Sequence, residues 1–137
     1  MMKVFILLII IAPISLYSQN NDCELDSFGI YTNVNQEAEY WNGNIGNLHS
    51  FFIENVQFPQ DKYTVPEKLK IKFIIYSDGC SIPIEINGKQ LKDTTSLSSI
   101  EKEYIRVAKY VPKWIPAKCN GELVDSYAKI TIILDYK

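Results

Sequence analysis

The chain has 137 residues, one domain's worth, with 14 basic and 16 acidic residues and a formal net charge of −2. No basic block occurs, which argues against nucleic acid or an anionic membrane surface as the partner. Three cysteines, Cys23, Cys80 and Cys119, allow at most one intrachain bridge and leave one thiol over.

The first residues, "MMKVFILLIIIAPISLYSQ", have the layout of a secretory signal peptide. Lys3 is a short positive region, Val4 to Ile11 an unbroken apolar run, and Pro13 breaks it before Ser15 to Gln19. That run is short against the roughly 20 residues of a spanning helix. The expectation is a leader over residues 1–18, cleaved after Ser18, and a periplasmic or secreted product. Export permits disulfides. Without Lys3 the net charge of the mature chain is near −3.

Residues 19–40 are polar with no sustained period and read as a tail, with one short strand at "FGIYTNV". A helix is expected from Ile45 to Val56, because Ile45, Leu48, Phe52 and Val56 recur at steps of three and four. Asn42 or Asn44 can cap it, and Pro59 stops it by restricting Phe58.

The period then changes. Leu69, Ile71, Phe73 and Ile75 alternate with Lys68, Lys70 and Lys72, the pattern of a half-buried strand. Asp78-Gly79 predicts a two-residue hairpin turn, with Ser77 opposite Cys80. In that register Ile75 faces Ile82, Phe73 faces Ile84 and Ile71 faces Ile86. Pro83 lacks a ladder donor and marks the second strand as lying at a sheet edge. A second helix is expected over Ser99 to Tyr110, opened by a Ser98–Glu101 capping box and carrying Ile100, Tyr104, Val107, Ala108 and Val111 on one face.

"VPKWIPAKCNG" follows. Pro112 ends the helix and Pro116 keeps the chain extended. Trp114 is read as a structural pin between the second helix and the final strand. A two-residue Asn120-Gly121 turn would set Cys119 opposite Glu122, Trp114 level with Tyr127 and Ile115 level with Ser126. In the last strand Val124, Ala128, Ile130, Ile132 and Leu134 share one parity, and Asp125, Lys129 and Asp135 the other. The order helix, strand, strand, helix, strand predicts an α+β fold, a small three-stranded antiparallel sheet with two helices on one face. If the last strand pairs antiparallel with the first, Cys80 and Cys119 come to one end of the sheet, within reach of a disulfide; a bridge from Cys23 is the competing outcome.

No enzyme constellation appears. His49, the only histidine, lies on the first helix, and no H-E-x-x-H, G-x-S-x-G or phosphate-binding glycine loop is present. Glu101/Glu103 and Glu37/Glu39 read as solvated charge. The cysteines lack C-x-x-C spacing, so no metal or cofactor is implied.

Taken in order, "FFIENVQFPQ", "LKIKFIIYSDGCSIPIEI", "IEKEYIRVAKYVPKW" and "VPKWIPAKCNGELVDSYAKITIIL" resemble the TonB C-terminal domain of Bacteroidetes-type proteins. The resemblance covers Trp41 to Tyr136 and makes residues 41–137 the domain. It implies a sheet ordered second, first, last strand, whose last strand is an open edge. Such domains take a segment of an outer-membrane receptor there by β-augmentation. The strip would be Tyr127, Lys129, Thr131, Ile133 and Asp135. Two departures stand out: "YWNGNIGN" replaces the usual P-x-F-P-G-G, and no long Pro-rich linker precedes the domain. The expected function is therefore a free-standing exported binding domain for a protein or peptide, with no small-molecule substrate. A TonB-type energy transducer with an uncleaved anchor is the alternative, and a homodimer through edge strands a further possibility.

Overall fold

The computed structural model describes residues 23–40, 45–58 and 68–134. The leader, Asn42, Asn44, Pro59, Asp135 and the side chain of Ile45 lie outside the described residues.

The framework is the pair of long strands β4 (Lys68–Ile75) and β10 (Ser126–Ile133), antiparallel along their whole length. Their alternation sends Leu69, Ile71, Phe73, Ile75, Ile130 and Ile132 into the core. The helices α1 (Ile45–Asn55) and α2 (Ser99–Ala108) cover that face. Leu48, Phe52 and Val56 of α1 are buried at the predicted spacing, and Phe52 stacks on Tyr104 of α2 with centroids 5.5 Å apart. The capping box is present: Ser98 accepts from the Glu101 N–H, and the Glu101 carboxylate accepts from the Ser98 N–H.

β5 (Ser81–Ile86) lies beside β4, so the order β5-β4-β10 stands. The three-stranded sheet does not. Among the described residues the sheet has six strands, adding β1 (Glu24–Leu25), β2 (Tyr31–Asn33) and β6 (Lys89–Gln90) in the order β1-β2-β10-β4-β5-β6. It is mixed, because β2 pairs parallel with β10 at Ser126. Two further pairs stand apart: β3 (Glu39–Tyr40) with β7 (Trp114–Ile115), and β8 (Ala117–Cys119) with β9 (Glu122–Val124). Strands of two or three residues are too short to show a period in sequence, which is why residues 23–40 read as a tail. In the fold they contribute three strands and the buried Ile30 and Tyr40.

The β4–β5 turn also differs. Tyr76 and Cys80 close it: the Tyr76 N–H donates to Cys80 O at 2.8 Å, and the Gly79 N–H to Tyr76 O at 2.9 Å. The loop is thus Ser77-Asp78-Gly79, with Gly79 at φ +90°, a three-residue hairpin whose last position needs the left-handed region. The extra residue shifts the adjoining register, so that Ile75 faces Ser81, Ile74 faces Ile82 and Phe73 faces Pro83. A bulge then restores the predicted Ile71–Ile86 pair. Ile82 consequently turns to the outer face, 45% exposed.

The disulfide joins Cys23 to Cys119, with Cα atoms 6.2 Å apart, and Cys80 is an exposed free thiol. The expected Cys80–Cys119 pair fails because β8 and β9 form their own hairpin and Cys119 turns to the N-terminal segment. That segment is tied in twice more, through a Gln36–Lys118 bridge and an Asn120 N–H to Asn35 Oδ1 bond of 2.6 Å. Asn120 and Gly121 have φ of +54° and +83°, the predicted two-residue turn, with Cys119 opposite Glu122. The pairing stops at Ala117–Val124, so Trp114 and Ile115 are not level with Tyr127 and Ser126. They pair with Tyr40 and Glu39 instead.

Candidate functional site

The candidate site is the outer flank of β10. In a strand, successive residues direct their N–H and C=O groups to opposite edges. The Asp125 carbonyl accepts the Tyr31 N–H at 2.9 Å, which assigns odd-numbered residues to the β2 side and even-numbered ones to β4. The other ladder agrees: the Lys70 carbonyl accepts the Asn87 N–H and the Lys70 N–H donates to the Asn87 side-chain Oδ1, both away from β10. β2 touches β10 only at Ser126 and then veers off toward Lys118. Among the described residues, therefore, the backbone groups of Lys129, Thr131 and Ile133 face an edge that no strand covers. Such groups are a template for pairing with another chain.

The side chains of the same residues stand on the sheet face opposite the helices. Lys129, Thr131 and Ile133 are exposed, and Tyr127 is half-buried. Ile133, at 63% exposure, is among the most exposed large apolar residues. Across the ladder lie Lys72 opposite Lys129, Lys70 opposite Thr131 and Lys68 opposite Ile133. The Lys72 ammonium sits 4.5 Å from the Tyr127 ring centroid, a cation–π contact.

Tyr127 marks where the covered part of the edge ends. Its hydroxyl donates to the Asp26 carboxylate, whose other oxygen accepts the Phe28 and Ile30 N–H groups at 2.8 and 3.0 Å. The Tyr127 bond holds the Asp26 carboxyl below its usual range, and the same bond holds the Tyr127 phenol above its own. Tyr127 is thus a clamp on the β1–β2 loop as well as a member of the strip. The signal for this contact is weak in sequence, since Asp26 and Tyr127 lie 101 residues apart.

On the helix side, a shallow recess opens between β10 and α1, lined by Leu48, His49, Phe52, Ile130, Thr131 and Ile132. His49 therefore sits at the rim of the open edge. A second, broad concavity runs along α2 past Lys102, Arg106 and Tyr110. Arg106 is committed there, to Glu103 at 2.6 Å and to the Asn55 carbonyl at 3.1 Å.

The structural residues gather at one end of the sheet. Trp114 is buried, its ring against Tyr40 at 5.8 Å and Phe73 at 5.7 Å, and its indole N–H donates to Ser81 Oγ at 3.1 Å. Its backbone N–H donates to Gly79 O at 2.9 Å. Asp78 shapes the turn by accepting the Cys80 N–H at 2.9 Å. Pro112 and Pro116 flank this anchor, one in the link from α2 and the other between β7 and β8. The anchor thus lies at the Tyr127 end of β10, and the uncovered stretch from Lys129 to Ile133 runs away from it.

No family model, no curated protein and no solved structure matches this chain.

Proposed function

We propose that this chain is an exported binding domain of TonB-like type, which accepts an extended peptide segment, such as one from an outer-membrane receptor, along β10. The observation that carries the proposal is the open run of backbone groups at Lys129, Thr131 and Ile133. Strand addition supplies affinity through main-chain bonds and specificity through alternate side chains. The motif resemblance over Trp41 to Tyr136 supports the same mode. No catalytic step is proposed: Asp26 and Tyr127 hydrogen-bond to each other.

A photo-crosslinking residue at Ile133, in the chain expressed in its native envelope, tests this. The expected adduct is with an extended segment of an outer-membrane receptor, identified by mass spectrometry and lost on Thr131→Pro. Proline at 131 removes an edge-facing N–H and leaves the β4 ladder bonds in place. Adducts only with a second copy of the chain would contradict the proposal.

A further inference from the structure

We infer, building on the strand-addition reading, that the preferred occupant of the β10 edge is an acidic segment. Its carboxylates lie on the outer sheet face beside Lys129, and its alternate apolar side chains point toward the recess near His49.

The chain is net acidic at −2, yet this face concentrates cations. Lys68, Lys70 and Lys72 project from β4, and Lys129 from the neighbouring strand. Like charges directly opposite each other on a sheet are destabilising, and Lys72 and Lys129 are such a pair. Lys72 has some compensation, from Glu85 opposite it on β5 and from the Tyr127 ring beneath it. Among the described residues, Lys129 makes no ion pair. A strand added to β10 would lie about 4.8 Å away. Its outer side chains would stand directly beside Lys129, Thr131 and Ile133, so a carboxylate there meets Lys129 first and lies within the field of Lys70 and Lys72.

The opposite parity faces the helices. Side chains alternating with the carboxylates would reach the recess between β10 and α1, whose floor includes the buried Leu48 and Phe52. An apolar group is the chemical match. A segment alternating acidic and apolar residues satisfies both faces, whereas a second copy of this chain does not. Pairing two β10 edges would join two lysine rows on one continuous face.

Fluorescence anisotropy with three synthetic peptides of equal length tests the inference on the mature chain. One alternates glutamate with valine, one alternates lysine with valine, and the third is the glutamate peptide with its backbone N-methylated at alternate residues. The expected result is that the glutamate peptide binds at least about tenfold more tightly than the lysine peptide in low salt, with the gap narrowing as salt rises. Lys129→Glu should weaken the glutamate peptide by about threefold to tenfold and improve the lysine peptide. Lys70→Glu should act in the same direction by less.

Equal binding of the glutamate and lysine peptides, both abolished by N-methylation, would overturn the acidic preference and leave strand addition standing. Binding indifferent to N-methylation would overturn strand addition itself, as would no binding by any peptide. Lys129-dependent binding to phosphatidylglycerol vesicles, with none to the glutamate peptide, would overturn both in favour of a lipid surface.

Discussion

Gly79 and Trp114 meet backbone to backbone, and the contact leaves no room for a side chain on Gly79. The Gly79 carbonyl accepts the Trp114 N–H at 2.9 Å, and a Cβ on Gly79 would stand 2.6 Å from the Trp114 carbonyl oxygen. The hairpin turn and the link from α2 to the final strands are thereby locked together, with the indole filling the space beneath.

Gly79→Ala should therefore destabilise the protein by about 2–4 kcal/mol, combining a strained left-handed residue with a clash against backbone. Urea unfolding of the two proteins measures this. A loss under about 0.5 kcal/mol, the scale of a neutral surface change, would show that the turn moves freely.

Trp114→Ala should cost about 3–5 kcal/mol, since it empties a packed site between Tyr40 and Phe73. Trp114→Phe should recover part of that loss but not the Ser81 hydrogen bond. Thermal unfolding of both variants checks the ordering, and an unchanged midpoint for the alanine variant would remove Trp114 from the core.

Reducing the Cys23–Cys119 bridge, or replacing Cys23 with Ser, should lower stability by about 2–5 kcal/mol, because it opens a loop with a sequence separation of 96. Without reductant, one thiol per chain should react with maleimide, and peptide mapping should place it on Cys80. Labelling on Cys23 or Cys119 in the oxidised protein would contradict the pairing.

The fold was legible where elements are long and periodic. β4, β10 and both helices follow from the spacing of Leu69–Ile75, Ile130–Leu134, Leu48–Val56 and Ile100–Ala108. The turn at Asp78-Gly79 was correctly located, but a two-residue loop was expected where three residues are used. The bulge in β5 conceals the difference, since Ile71 and Ile86 pair either way. The Asn87-Gly88 turn, at φ +51° and +80°, opens β6, and its Asn-Gly pair is the local signal for that hairpin. Residues 23–40 were illegible for a different reason. Their strands are held by long-range partners, Cys119, Lys118, Trp114 and Tyr127, and not by a local pattern. The sequence reading makes the last strand a sheet edge, whereas β2 pairs with it at Ser126 and β10 lies third in the six-strand order.

Glu101 gives a pH dependence. It is 3% exposed, and burial alone would raise its carboxyl. The Lys89 ammonium at 2.8 Å, the Ser98 N–H and the Asn87 amide at 2.9 Å together outweigh that and hold it below the usual 4.5. The unfolded chain thus takes up its proton first on acidification. This contribution to stability is fully present above about pH 4.5 and is lost as pH falls through the lower folded value. Glu101→Gln should flatten the decline in denaturant midpoint over that range. An identical pH profile in the variant would assign the decline to other carboxylates.

Residue-resolved amide exchange along β10 tests the central claim most directly. In the free protein, Ala128, Ile130 and Ile132, bonded toward β4, should exchange slowly, and Lys129, Thr131 and Ile133 fast. Saturation with the glutamate–valine peptide should slow the second set and leave the first unchanged. Slow exchange at all six amides in the free protein would mean that the edge is already closed, and the binding account would fail with it.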